Sequence, residues 1–414
     1  MNKTFLIIGV VILGGLALLM FLYWGEIRGV APVVLPPAGD IGKEIENTPP
    51  AAQNNTDFPL QLPPGFSISV FAKNLPGARV MAMDSFGNMW VSQTSEGKIS
   101  LLEVEDGKVV SQGAVFQNLN RPHGLAFHPQ QDLLLYFAEQ DGVSRVPVYS
   151  EGPPEKLFNL PASGGHFTRT ILFAPDGRLL TSVGSSCNVC HEEDWRRATV
   201  LVSDDRGNNL QVFAKGLRNA VFMATHYVTG DIWVTEMGRD NLGDNTPPDE
   251  INILREGGNY GWPTCYGKNI HDTQFDKNTY IRNPCDEQFG EIPSHIDLQA
   301  HSAPLGLAFV PEEGRSDSDE SSDSKRWPEE YWYDLLVAFH GSWNRTEPTG
   351  YKIVRVKLDA QGNYEGTEDF ISGWLQGGQA LGRPVDILIQ PGGVMYVSDD
   401  KAGLIYKVTY QGNS

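Results

Sequence analysis

Arg121-Pro122-His123-Gly124-Leu125-Ala126-Phe127, followed by Leu133-Leu134-Leu135-Tyr136, reads as a polar start, an apolar strand, a turn and a second apolar strand. One such hairpin cannot bury its faces alone, so its recurrence carries the meaning. It recurs at Ala78-Arg79-Val80-Met81-Ala82-Met83 with Gly87-Asn88-Met89-Trp90-Val91, and at His166-Phe167-Thr168-Arg169-Thr170-Ile171-Leu172-Phe173 with Pro175-Asp176-Gly177-Arg178-Leu179-Leu180. Three more units begin at Leu217-Arg218-Asn219, at His301-Ser302-Ala303-Pro304 and at Arg383-Pro384-Val385. No helical 3.6-residue pattern competes with this part of the chain. Six units predict an all-β, six-bladed β-propeller, in which radially stacked four-stranded sheets bury one another's faces.

In such a ring the start of each unit's first strand falls near the central axis. The polar residues there, Arg79, Arg121, His123, His166, Arg169, Arg218, Asn219, His301 and Arg383, are expected to converge on one mouth of the channel. Unit spacing lengthens after the fourth and fifth copies, which places insertions at about 240–300 and 312–330. The second contains a charged low-complexity run, 316–325, read as a solvated loop without a site.

Outside the repeats, residues 5–24 form an apolar run without charge, long enough at about 20 residues to cross a bilayer as a helix. No small-x-small cleavage site follows it, so residues 1–29 are read as an uncleaved single-pass anchor rather than a signal peptide. Lys3 before the run, against Glu26 and Arg28 after it, places the N-terminus in the cytoplasm and the rest on the periplasmic or extracellular side. Residues 30–64, rich in Pro, Ala, Asn and Gln, read as an extended tether, and 65–414 as the propeller. A net charge of −19 argues against a nucleic-acid partner. Cys187, Cys190, Cys265 and Cys285 are an even set in a chain read as exported, where disulfides persist. Of the three pairings, the neighbour pairing Cys187–Cys190 with Cys265–Cys285 is preferred. Cys187-Asn188-Val189-Cys190-His191 is also a formal c-type haem attachment motif, but no separate helical domain is there to wrap a haem.

Gly216-Leu217-Arg218-Asn219, then Thr235-Glu236-Met237-Gly238-Arg239-Asp240, then Pro248-Asp249-Glu250-Ile251-Asn252 and Gly257-Gly258-Asn259-Tyr260-Gly261-Trp262-Pro263, with Gly165-His166 upstream, form an ordered series. This series resembles the pyrroloquinoline quinone (PQQ)-dependent glucose and sorbosone dehydrogenase family, in its sorbosone-dehydrogenase-like branch. The residue chemistry suits that role. A quinone bearing three carboxylates calls for arginines. A divalent cation calls for hard oxygen donors such as those of residues 238–249. Oxidation of a carbinol calls for a base, and neutral His serves near neutral pH.

The resemblance implies a PQQ- and Ca²⁺-dependent oxidoreductase acting on an aldose or related sugar or aldehyde, passing electrons to a respiratory quinone or small redox protein. It implies His166 as general base. Arg218, Asn219, Arg383, His301, Arg169 and Arg345 would line the cofactor. Gly238 and Arg239 would hold the catalytic Ca²⁺ through their carbonyls, and Asp249, Glu250 and Tyr260 a second, structural one. Three departures stand out. Val385 occupies the place of a second cofactor arginine, Arg239 replaces a proline, and the His340 to Arg345 segment replaces a lysine. Any of these Arg and His residues has a purely structural alternative, satisfying neighbouring carbonyls. Two other functions compete: a calcium-dependent propeller lactonase, which would favour carboxylates and Asn at the metal over arginines, and a non-enzymatic ligand-binding propeller.

Overall fold

Asp84, Asp204 and Asp359 each open a hairpin turn by accepting, through one side-chain oxygen, the N–H groups two and four residues on. Gly87, Gly207 and Gly362, three residues after each Asp, take φ of 83°, 79° and 83°, where a side chain would be strained. These turns join the first two strands of blade 1, the last two of blade 3 and the last two of blade 5, fixing register before any long-range contact forms.

The computed structural model describes residues 49–149, 151–312 and 326–411. Residues 1–29, expected from the sequence to be an anchor, the first part of the expected tether and the charged run at 316–325 lie outside the described residues. Among the described residues, no helix is long and apolar enough to cross a membrane.

The strands form six blades of four antiparallel strands each, the third extended by a parallel edge pair at Gly258–Asn259 and the sixth by one at Gln53–Asn55. Blade 1 comprises Ala78–Met83, Met89–Gln93, Lys98–Glu105 and Lys108–Phe116, and blade 2 Leu125–His128, Gln131–Glu139, Gly142–Pro147 and Glu155–Asn159. Blade 3 comprises Ile171–Phe173, Leu179–Val183, Thr199–Ser203 and Gln211–Lys215, and blade 4 Ala220–Thr225, Ile232–Glu236, Asp249–Leu254 and Ile296–Leu298. Blade 5 comprises Pro304–Phe309, Leu335–Phe339, Lys352–Leu358 and Tyr364–Ile371. Blade 6 takes Pro384–Gln390, Val394–Asp399 and Leu404–Tyr410 from the end of the chain and Phe66–Ala72 from its beginning. Each of the six sequence units supplies the first two strands of one blade.

First strands of successive blades contact one another around the ring, and the sixth meets the first. Polar ties cross the seams: Thr235 Oγ1 donates to Leu305 O (2.8 Å), Met81 N to Asp386 Oδ2 (2.8 Å) and Ser398 Oγ to Arg79 O (2.5 Å). The tether boundary needs correction. Gln53–Asn55 pairs in parallel with Phe66–Ala72, and Leu60 is buried in the cluster containing Trp374, so the chain joins the ring before residue 65. Asn54 fixes this turn by donating to the carbonyls of Phe58 and Leu60. Both disulfides follow the neighbour pairing. With Cys187 and Cys190 bonded to each other, no thiol is left there to attach a haem.

Phe66 carries the closure. It is 1% exposed and meets Trp327, Tyr331, Phe370 and Tyr410 edge-on at 4.8, 5.3, 5.0 and 5.1 Å between ring centres. Phe66→Ala is expected to cost about 3–5 kcal/mol, read as a lower urea midpoint with the cooperativity retained; an unchanged midpoint would show that the closing strand contributes little.

Candidate active site at the propeller mouth

His166 lies just before the first strand of blade 3, facing the residues that follow that blade's second strand. Its Nδ1 is 3.0 Å from Ser185 O and 2.9 Å from Ser185 Oγ. A carbonyl oxygen only accepts, and Ser185 Oγ spends its own proton on Cys187 O at 2.6 Å. The proton of the neutral ring therefore sits on Nδ1, and Nε2 keeps its lone pair. Burial, then the charge of Arg218, pushes the His166 pKa down to about 3, so the imidazole is neutral at physiological pH. Gly184 makes this placement feasible: a Cβ there would come within 2.6 Å of both His166 Cβ and Asn219 Oδ1.

A cleft of about 170 Å³ is lined by His166, Arg218, Asn219, Met237, Gly238, Asp240, Asp249, His301, Ala303, Trp343 and Asn344. The structure thus brings together five of the expected residues: His166, Arg218, Asn219, Gly238 and His301, with Asp249 as a sixth. Arg218 is anchored throughout. Its Nε donates to Asn188 O (2.9 Å), its Nη1 to Met237 O (3.2 Å) and Gly238 O (2.9 Å), and its Nη2 to Asn188 Oδ1 (3.0 Å) and Asp240 Oδ2 (2.9 Å). All five donors are committed, so the guanidinium supplies positive charge and a flat face rather than spare N–H groups. Asn219 Oδ1, buried and without a partner, does offer an unused acceptor. His301 has φ of 61°, and its Nε2 meets Gly243 O at 2.8 Å.

Other expectations are corrected. Arg169 is wholly buried and donates to the carbonyls of His166, Thr168 and Pro161. With Arg197, which bonds the carbonyls of His166, Gly184 and Pro161, it braces the turn carrying the histidine and does not reach the cleft. Arg345 grips Asp244 O, Ala300 O and Asn245 Oδ1, so it pins the loop after Gly238 instead of lining the cavity. Arg383 donates to the carbonyls of His340 and Gly341. It belongs to a separate group with Arg79, His340 and Asp400. There Arg79 pairs with Asp400 at 2.6 Å and His340 with the same carboxylate at 3.0 Å. Burial pushes Asp400 up, but His340, Arg79 and Arg383 outweigh it and hold the group at about 2.

The expected metal ligands divide in two, for a reason inherent in a strand. Neighbouring side chains on Asp249–Leu254 point to opposite faces. Asp249 faces the main cleft, accepting from Gly238 N (3.0 Å), Ala303 N (2.9 Å) and Ser302 Oγ (3.2 Å), and burial raises it to about 6. Glu250 faces a smaller neighbouring cavity lined also by Glu236, Gly238, Arg239 and Tyr260. Arg239 pairs there with Asp272 at 3.1 Å, and the Tyr260 hydroxyl donates to Ile253 O and accepts from Arg255 N, leaving it engaged. Glu236 stands directly across from Glu250 on the adjacent strand. Its Oε2 is buried without a partner, and burial, then Glu250, raises its pKa well above the normal value. Burial lifts Glu250 to about 7. Glu236 and Glu250 thus bring two buried carboxylates to one small cavity, Glu250 accepting from Gly267 N (2.6 Å) and Asn252 Nδ2 (3.0 Å) while Glu236 Oε2 has no partner.

Asn188, Ser185, Met237, Asp240, Trp343 and Asn344 were not assigned from sequence. Asn188 sits between the two cysteines of the first disulfide, a position legible as a constrained loop but not as a contact. Trp343, 75% exposed on the rim, belongs to the segment that departs from the family pattern.

The fold and the cleft together define a propeller whose mouth holds a neutral base beside a fixed cation and two carboxylates. The chain belongs to the TrAA12-like family, which it matches over residues 60–411, and the family resemblance seen in the sequence is thereby borne out. It is 29% identical over 375 residues to an uncharacterized protein of Borreliella burgdorferi, covering 85% of this chain and 91% of the relative. It is 24% identical over 419 residues to a pyrroloquinoline quinone-dependent pyranose dehydrogenase of Coprinopsis cinerea, covering 84% of this chain and 54% of that relative, about half its length. The calcium structure of the Trichoderma reesei family AA12 enzyme shares the fold, with a TM-score of 0.70 at 20% identity over 87% of this chain and 100% of that one.

The depressed His166 pKa has a stability consequence. Between about pH 6.5 and 3 the unfolded chain binds a proton at this position that the folded protein refuses, so the wild type loses stability there as pH falls. Denaturant unfolding at pH 7 and pH 4.5 should show the loss to be smaller in His166→Gln; equal losses would place the titration elsewhere.

Proposed function

We propose that the chain is a PQQ- and calcium-dependent oxidoreductase that oxidises a CH–OH group of an aldose or related sugar or aldehyde. One observation carries the reading: His166 is neutral, its tautomer is set by Ser185, and its free Nε2 belongs to a cleft it shares with Arg218. The donor set suits the cofactors. Arg218 supplies charge, Asn219 Oδ1 is unspent, and Gly238 O with Asp249 offers hard oxygen to a cation. When bound, PQQ supplies a two-electron acceptor and Ca²⁺ polarises it. His166 Nε2 takes the substrate hydroxyl proton, and the Nδ1–H bond to Ser185 O stabilises the imidazolium that forms. Arg218 opposes charge on that imidazolium, making the proton easy to return to solvent.

A second Ca²⁺ is assigned to Glu236 and Glu250, where it would relieve the repulsion between two buried carboxylates. The apolar run at 5–24 is assigned as a single-pass anchor, with the propeller on the periplasmic or extracellular side and a respiratory quinone or small redox protein as acceptor. Asp240, Asp249, Asn219 and Asn344 in the same cleft favour a second reading, a calcium-dependent lactonase.

The two readings separate on one preparation. Protein reconstituted with PQQ and Ca²⁺ is expected to hold the quinone, seen by its absorbance, and to reduce a dye with aldose. Lactone hydrolysis with Ca²⁺ alone and no quinone binding would select the alternative. His166→Ala should lower kcat by about 10²- to 10⁴-fold with PQQ affinity nearly intact. Arg218→Ala should instead lose cofactor affinity, because it removes the positive charge beside the cleft and the contacts that hold Asn188 and Asp240. In a separate measurement, Ca²⁺ should raise the melting temperature of the wild type and much less that of Glu236→Gln; an equal rise in both would remove Glu236 from the site.

A further inference from the structure

We propose that Asn188, carried in the Cys187–Cys190 disulfide hoop, is the positioning residue that sets Arg218 and Asp240 in the cleft, and that the hoop thereby sets the cleft's affinity for its cofactor. The cofactor part rests on the PQQ reading above; the positioning part does not.

Asn188 uses its backbone and its side chain at once. Its carbonyl accepts from Arg218 Nε at 2.9 Å. Its Oδ1 accepts from Arg218 Nη2 at 3.0 Å and from the backbone N–H of Asp240 at 2.7 Å. Its Nδ2 donates to Asp240 O at 3.1 Å. Every polar atom of the side chain is therefore spent on two cleft residues that come from different parts of the fold: Arg218 from the connection between blades 3 and 4, Asp240 from the insertion within blade 4. Asp240 in turn pairs with Arg218 Nη2 and accepts from Asn344 Nδ2 at 2.6 Å, carrying the chain of contacts to blade 5.

The hoop also reaches the base. Cys187 O takes the Ser185 hydroxyl proton, which leaves Ser185 Oγ as an acceptor for His166 Nδ1. On its outer side Glu192 accepts from Ser186 N and Ser186 Oγ at 2.6 and 2.7 Å, closing the loop against its own stem. Asn188 and its neighbours have no regular secondary structure to hold them. An open loop would have to be ordered at an entropic cost for each residue; the disulfide, closing a ring with two residues between its cysteines, removes much of that freedom in advance. The chemistry of Asn is specific here. Aspartate would keep the acceptor for the Asp240 N–H but lose the donor to Asp240 O, and alanine would lose both.

The test uses the full chain, Asn188→Ala, Asn188→Asp and the double variant Cys187→Ser/Cys190→Ser. Two quantities are read: hydrogen exchange at the Asp240 amide in the absence of cofactor, and affinity for PQQ with excess Ca²⁺ by absorbance titration. Asn188→Ala is expected to speed exchange at Asp240 at least tenfold and weaken PQQ binding at least tenfold, with the melting temperature close to wild type. Asn188→Asp should keep the exchange protection while binding PQQ less well, because it adds a negative charge. The double serine variant should move both quantities in the alanine direction. Unchanged exchange and unchanged affinity in Asn188→Ala would overturn the proposal. Should that variant not fold, Asn188→Asp and the serine pair decide it by the same two readouts. A wild type that binds no PQQ would defeat the cofactor reading, and the exchange data would still decide whether Asn188 positions the cleft.

Discussion

The structure depends on the pairing of Phe66–Ala72 with Leu404–Tyr410, which completes blade 6 from opposite ends of the described chain. Six blades arranged in a ring leave one seam that no local hairpin can close, and this strand closes it. Its loop-closure cost is large because the residues joined are far apart in sequence, and it is met by burial: Phe66, Ile68, Val408 and Tyr406 are fully enclosed. On the next seam, between blades 6 and 1, Arg79 pairs with Asp400 and Met81 N with Asp386. The groups that tie the ring shut are thus also the groups at its axis, and the mouth inherits its geometry from the closure.

Burial governs the electrostatics as well. Enclosed groups favour their neutral forms. His123, His166 and His340 are all pushed down, while Asp249, Glu250 and Asp386 are pushed up. Asp400 is the exception because two guanidiniums and a histidine surround it. The mouth of an acidic protein is therefore not a field of loose positive charge. Its arginines are spent on carbonyls and single carboxylates, and what remains around the cleft is a free imidazole nitrogen, an orphan amide oxygen, two carboxylates and one exposed indole.

Much of this was legible in the sequence. The hairpin repeat gave six blades because polar starts, short apolar runs and Pro, Asp or Gly turns recur in order, all local effects. Placing polar residues at unit starts found His166, Arg218, Asn219 and His301 for the same reason: position in the repeat fixes distance from the axis. What was missed depends on direction rather than position. Arg169 and Arg345 sit at promising places yet turn their donors onto backbone carbonyls. Asp249 and Glu250 look like one site in sequence and serve two cavities, since adjacent residues on a strand face apart. Glu236 is found opposite Glu250 only once the register is known. The tether boundary was placed late because Gln53–Asn55 is polar on every residue and pairs through its backbone alone.

The two cavities share one wall, and this couples their chemistry. Gly238 lines both, with its N–H on Asp249 and its carbonyl on Arg218. Glu236 accepts from the backbone N–H of Asn219, the residue whose side-chain oxygen stands unpaired beside His166. A cation held between Glu236 and Glu250 would fix both carboxylates as anions, strengthening the hold of Glu236 on Asn219 N and with it the backbone that carries Arg218 and Asn219. The His166 cleft and the buried carboxylate pair are separated by strand alternation yet joined through these two backbone groups. The backbone that carries Arg218 and Asn219 is thus held from two directions, by Asn188 of the disulfide hoop and by Glu236 of the carboxylate pair.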